Sequence, residues 1–281
     1  MKDEKLMSTD VSVIILIGQE KLHMRRCVER LQALAPQKIF VVASQPDDGS
    51  EGIAKATAAE CGLNLEVVFN AWPGNQALQF NWALDHLKVE TTWILRLDAD
   101  EYLLPKTIDE VKEIAARTDA HISAFSMSLS RRWFGRKIRY GSPTLWVTRL
   151  FRTGCGRYPD GAEMDEHLVI EAGEVRRMGG QFVDESSMSF EDWKAKHRNY
   201  ARREARAYMQ RRLGQGVVSG KKVLYDKLPL FVRTIVYWGV RYVFMCGFLD
   251  GWAGLSWNFW QGLWYRWLVD REIVALKRSM N

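Results

Sequence analysis

Two carboxylates one residue apart, Asp98 and Asp100, follow an apolar run from Trp93 to Leu97. Such a run reads as a buried strand, and acids placed where a strand of an open α/β sheet ends face a cleft instead of the core. Paired carboxylate oxygens suit Mg²⁺ or Mn²⁺, and a divalent cation held there would in turn hold a diphosphate. The plain alternative is a strand end that caps the helix expected near Lys106, because D-x-D is a short pattern that recurs by chance.

The rest of the first half supplies elements able to position that pair. Residues 11–17 are a continuous apolar, β-branched run, as a strand covered on both faces should be. Gly18-Gln19-Glu20 turns the chain, and Leu22, Cys27, Val28 and Leu31 keep an approximate helical period until Pro36. A second strand is expected at 38–43, a polar loop at 44–52, a helix at 53–60, a third strand at 65–69, and a helix at 78–87 carrying Gln79 and Asn81. Further strands are expected at 122–129 and 146–151, with a basic loop from Arg131 to Lys137 between them. Strands alternating with helices argue for a largely parallel sheet with right-handed crossovers and a ligand across the strand ends. The first turn is neither a P-loop nor G-x-G-x-x-G, which argues against a P-loop NTPase and a dinucleotide oxidoreductase.

Four features in order, the strand Ser12 to Ile17, the loop Asp47-Asp48-Gly49-Ser50, Asn81, and Leu97-Asp98-Ala99-Asp100, resemble family 2 glycosyltransferases of the GT-A fold. The likeness covers roughly residues 11–213. It implies a nucleotide-diphosphate sugar, UDP-linked, bound through Mg²⁺ or Mn²⁺ on Asp98 and Asp100. Ile17, Gln19, Glu20, Asp47, Asp48, Gln79, Asn81, Asp98 and Ala99 would then line the donor site. The chain departs from the pattern at Ser44, where an Asp usually follows the second strand and bears on contacts to base and ribose. Inverting transfer needs a carboxylate to take the proton of the attacking hydroxyl. In similar enzymes an acidic pair supplies it, here Asp165 or Glu166, with the choice between them open; a charged turn is the plain alternative. His167 beside them would complete the metal shell, orient the base or meet acceptor phosphate, although a lone His is more often a bystander. Arg149, Arg152 and the pair Arg131-Arg132 stand within reach of a departing diphosphate, with none singled out.

Residues 190–205 have helical period, with Trp193, Lys196, His197, Tyr200 and Glu204 close to one face. The run resembles bacterial family 2 transferases of exopolysaccharide and lipopolysaccharide assembly, which implies Lys196, His197 and Tyr200 toward the acceptor or its phosphate. A basic, solvated helix is the plain alternative. The net charge of +6 is unevenly spread: from Lys194 to Arg241 thirteen Lys or Arg face only Glu204 and Asp226, so the rest of the chain is net acidic. A local basic excess beside an aromatic segment fits an anionic membrane surface, and no nucleic-acid motif occurs.

Six of the twelve tryptophans fall between Trp238 and Trp267. Residues 228–277 are apolar and aromatic, yet Arg233, Arg241, Asp250, Arg266 and Asp270 interrupt every window of the length a spanning helix needs. An interfacial helix over 229–248 would leave Arg233 and Arg241 among headgroups while Leu230, Ile235, Val236, Tyr237 and Phe244 dip inward. Trp257, Trp260, Trp264 and Trp267 recur at headgroup-stripe spacing, and a tryptophan-rich core is the alternative. Gly247 to Gly251 and Gln261 to Asp270 extend the same resemblance over nearly the whole chain.

The expectation is therefore an α/β GT-A catalytic domain at 1–213, including the basic helix, and a helical, monotopic membrane region at 214–281. It would be a metal-dependent, inverting hexosyltransferase with a lipid-linked glycan or lipopolysaccharide acceptor, working peripherally at the cytoplasmic face of the inner membrane. Scattered cysteines and the charged Met1 to Lys5 argue against secretion. A nucleotidyltransferase, or a membrane-bound scaffold of the same fold without turnover, would share parts of the pattern.

Overall fold

The computed structural model describes residues 8–117, 119–159, 168–212 and 225–280. Contacts divide the chain into two compact units, Met1–Ser130 with Thr144–Ser187, and Arg131–Pro143 with Met188–Asn281.

The first unit is built on one sheet. Its strands are β1 (Thr9–Ile17), β2 (Pro36–Ala43), β3 (Leu65–Phe69), β4 (Trp93–Asp98), β5 (Glu101–Leu103), β6 (Ile122–Trp133), β7 (Arg136–Lys137), β8 (Trp146–Arg152) and β11 (Glu174–Asp184). The order is β3-β2-β1-β4-β8-β6-β11-β5, with β7 paired to the far end of β6; β9 (Gly156–Arg157) and β10 (Val169–Ile170) form a separate two-stranded ladder. The four strands from β3 to β4 are parallel, and antiparallel β8 extends them beyond β4. Helices α1 (Met24–Leu31), α2 (Ser50–Glu60), α3 (Gln76–His86) and α4 (Pro105–Arg117) flank the sheet.

Period-2 alternation explains why β1 is apolar throughout. Val11, Val13, Ile15 and Ile17 join one buried cluster with α1 and α2, while Ile14 and Leu16 join a second with Phe80 of α3. Pro36, expected to end a helix, instead opens β2, a position where the missing N–H does no harm. The order β3-β2-β1-β4 reverses direction between β1 and β4, and register places Leu16 opposite Asp98 and Ile17 opposite Ala43. The ends of β1, β2 and β4 thus form one edge at the topological switch point, where open α/β sheets bind ligands.

The second unit differs from the expected boundary at 213. Helix α5 (Phe190–Arg212) belongs with the C-terminal elements because Ala201, Ala205 and Tyr208 bury against Leu268, Val269 and Ile273 of the last helix, α8 (Tyr265–Met280). Between them run α6 (Val232–Gly239), a π-helical turn Val240–Phe244, a 3₁₀ turn Gly247–Asp250, α7 (Gly251–Trp257) and a second π turn Asn258–Trp264. The expected basic loop at 131–137 is a tight hairpin: Trp133 pairs with Arg136 across Phe134 and Gly135, at φ 45° and 75°. Positive φ at both positions is what a two-residue hairpin turn with strand-like twist requires. Asp250 accepts backbone hydrogen bonds from Arg139 (2.8 Å) and Tyr140 (2.9 Å), pinning the chain after that hairpin.

Candidate active site

Asp98 closes β4 and keeps 27% of its side chain exposed, whereas Arg96 and Arg149 on either side are buried. Arg96 donates to Asp98 Oδ1 at 3.4 Å and Arg149 to Oδ2 at 3.5 Å. Both contacts are long, so lone pairs remain on the carboxylate for a further partner. Burial alone would raise the Asp98 pKa, but the two guanidinium charges outweigh it and hold the carboxyl below its usual value. Arg149 also pairs closely with buried Glu101, which bonds the Asp98 backbone N–H at 3.0 Å. Glu101 moves the other way, pushed up to about 8 by burial, with Arg149 opposing and the Asp98 charge adding to the rise. One guanidinium shared between two carboxylates does not balance both.

Asp100 is half-buried, and its carbonyl accepts from the Glu185 backbone (3.2 Å) and from Arg26 (3.4 Å). Arg26 lies over the ring of Tyr102, whose hydroxyl donates to Glu185 at 2.7 Å, so α1 and the start of β5 lock the loop that carries the acids. Among the described residues no group of three or more His, Cys, Asp or Glu is placed to hold a metal ion. Among the described residues, Asp98 and Asp100 are the carboxylates that the end of β4 and the residue pair after it bring to this edge.

Several expected donor-site residues have other work. Asn81 is buried with both ends of its amide on the Tyr158 backbone, at 2.9 and 3.0 Å. Gln79 is engaged in the same way by Asn70, at 2.8 and 3.1 Å. These two amides tie α3 to the Asn70 and Tyr158 segments, since buried polar groups must be paired and theirs are. Asp47 and Asp48 are also turned to the protein: Asp47 accepts from Gly49 and Glu51, and Asp48 from Ser50 and Lys21, which organises the entry to α2. Burial works to raise the Asp48 pKa, and the Ser50 and Lys21 hydrogen bonds more than reverse it. Ser44, buried after β2, gives both its N–H and its hydroxyl to the Ile17 carbonyl, at 3.1 and 2.9 Å. Gln19 stays exposed at the edge, Ala99 is buried between the acids, and Glu20 is half-exposed.

Glu20 leads to a residue that sequence reasoning missed. His23 Nδ1 lies 2.7 Å from the Glu20 carboxylate, and His23 Nε2 accepts the Ser187 N–H at 2.8 Å. An accepting Nε2 leaves the proton on Nδ1, so the ring holds Glu20 in place at the edge. The spacing of Glu20 and His23, one helical turn at the mouth of α1, was the available signal.

Among the arginines, Arg149 reaches the acids, whereas Arg152 bonds the carbonyls of Ile122 (2.8 Å) and Asp119 (3.1 Å). Arg131 and Arg132 belong to the second unit, as do Lys196, His197 and Tyr200. His197 is buried, bonded to the Trp193 carbonyl at 2.9 Å and stacked on the Trp193 ring; burial lowers its pKa. Asp165, Glu166 and His167 lie outside the described residues.

The family model described as Glycosyl transferase family 2 matches residues 12–167, a span holding Asp98, Asp100 and the pair Asp165 and Glu166. A search of curated proteins finds no match. The mannosyltransferase PcManGT from Pyrobaculum calidifontis, in complex with GDP-Man and Mn²⁺, is similar in structure at 14% identity and TM-score 0.50, over 96% of this chain and 88% of that one. S. aureus TarS 1-349 is similar at 12% identity and TM-score 0.50, over 96% of this chain and 91% of that one. Of another S. aureus TarS crystal structure the chain covers only 39%, with 68% of its own length aligned at 16% identity and TM-score 0.44.

Proposed function

Because the chain belongs to glycosyl transferase family 2, we propose that this glycosyltransferase moves a hexose from a nucleotide-diphosphate donor, with inversion, to a lipid-linked glycan acceptor. The observation that carries the donor half is the placement of Asp98-Ala99-Asp100 at the switch-point edge, with Asp98 partly open and held ionised by two buried arginines. Mg²⁺ and Mn²⁺ chemistry fits that donor set, because such a cation keeps waters and takes one or two carboxylates plus substrate phosphates instead of a full protein cage. Bound there, the cation would neutralise charge developing on the departing diphosphate. The arginines act on the protein side: they keep Asp98 anionic at neutral pH and aim its oxygens along the edge. Glu20, steadied by His23, and exposed Gln19 flank the same edge. Asp165 or Glu166 would take the acceptor proton, a role supported by their place within the matched family span. The basic α5 supports an anionic acceptor, since Lys and Arg on it far outnumber acids.

Calorimetric titration of the chain with UDP, GDP and other nucleoside diphosphates, with and without Mn²⁺, tests the reading. One nucleotide is expected to bind in a Mn²⁺-dependent manner and to lose at least tenfold in affinity in Asp98→Asn. A folded protein that binds none of them would overturn the donor assignment.

A further inference from the structure

Helix α6 and the π turn after it are turned inside out relative to a soluble surface helix. From Leu228 to Val269 the only charged residues are Arg233, Arg241, Asp250 and Arg266, and every one is directed into the second unit. Arg233 is 1% exposed, bonded to Asp270 through Nε at 2.8 Å and to Asp226 at 3.1 Å, and sandwiched by the rings of Tyr208 and Tyr225. Arg241 is 6% exposed and donates to the Gly141 carbonyl at 2.5 Å. Arg266 pairs with Glu204 at 2.6 Å, and Asp250 holds the backbone of Arg139 and Tyr140. Positions 233, 237 and 241 follow a four-residue step along the inner side.

The opposite side is aliphatic and open. Val232, Ile235, Val236, Val240, Val243 and Phe244 recur at three or four residues, each at least 42% exposed and Phe244 at 82%. Phe248, Leu249 and Trp252 continue the exposed apolar surface into the 3₁₀ turn and α7, with Trp252 at 77%. Against the expectation of one helix over 229–248, the span is α6, the π turn and a separate 3₁₀ turn, and its arginines are reversed: they do not snorkel outward but, with Tyr237 on the same inner side, anchor the segment to its own unit. Burying charge to present valines to water is unfavourable unless something apolar covers them.

We propose that this face inserts into the interfacial layer of an anionic lipid bilayer. No described helix is long and apolar enough to cross a membrane, so insertion is shallow and parallel to the surface. Charge complementarity selects lipid as the occupant. On α5 of the same unit Arg198, Arg202, Arg203 and Arg206 are exposed, three of them at four-residue steps, and attract a negative headgroup layer. The inference deepens the reading of a lipid-linked acceptor by naming the surface that would bring the enzyme to it.

Co-sedimentation of the whole chain with phosphatidylglycerol vesicles and with phosphatidylcholine vesicles tests it, without donor or acceptor, so that the outcome is independent of catalysis. Binding to the anionic vesicles is expected, weakened at least tenfold in Phe244→Ser/Trp252→Ser and weakened and less salt-sensitive in Arg202→Glu/Arg206→Glu. Leu22→Ser, an exposed apolar residue of the first unit, is expected to bind as the parent does. Circular dichroism confirms that each variant is folded. Parent-like binding by the Phe244/Trp252 variant would overturn the proposal. So would self-association that those substitutions abolish while no vesicle binding is seen, which would assign the face to a second copy of the chain.

Discussion

Glu101 shows how the acids at the end of β4 are balanced. Burial pushes the Glu101 carboxyl up, with Arg149 opposing and the Asp98 charge adding to the rise, whereas the charges of Arg96 and Arg149 hold the Asp98 carboxyl down. A folded-state pKa near 8 against an ordinary 4.5 means that the native state keeps a proton which the unfolded chain loses as pH rises between those values. The contribution to stability is fully present below about 4.5 and is lost as pH rises through about 8. Glu101→Gln, which keeps a neutral group of the same shape, is expected to flatten that decline. Thermal melting from pH 5 to 8 checks this, and parallel curves for parent and variant would refute the assignment.

Elements were legible where a single stretch decides them. The apolar run of β1 announced a strand covered on both faces, and D-x-D after Trp93–Leu97 announced acids at a strand end. What stayed hidden depends on partners distant in the chain. Asn81 reads as a ligand-facing amide until Tyr158 closes both of its hydrogen bonds. Likewise the eight-residue spacing of Arg233 and Arg241 defines one helical side, but which side is inward is decided by Asp270 on α8. That carboxylate accepts from the Phe231 N–H (2.7 Å), Thr234 (3.0 Å) and Arg233, so it both starts α6 and sets its rotation. Asp270→Asn is expected to destabilise the protein by about 3 kcal/mol, because a buried guanidinium would lose its main counter-charge. Urea denaturation measures the loss, and a change below about 1 kcal/mol would contradict this role.

At the scale of the molecule, each unit encloses its own apolar clusters. The sheet residues and α1–α4 fill one pair, while α5 with α8 and the Trp133–Trp193–Trp257 group fill another. Trp72, Trp82, Trp93 and Trp146 lie in the first unit and the other eight tryptophans in the second. Tryptophan emission therefore reports chiefly on the second unit, and far-ultraviolet circular dichroism on both. Guanidinium midpoints from the two probes are expected to differ, as separate cores allow; coincident transitions would show that the units unfold as one. Ser44 carries a consequence for protein engineering. Two hydrogen bonds to one carbonyl make it a rivet between the ends of β1 and β2. An aspartate at this position would set an anionic acceptor against that acceptor, removing the hydroxyl bond and adding repulsion. Ser44→Asp keeps the backbone N–H on the Ile17 carbonyl but loses the hydroxyl bond, so the new carboxylate is accommodated only by turning away from that carbonyl.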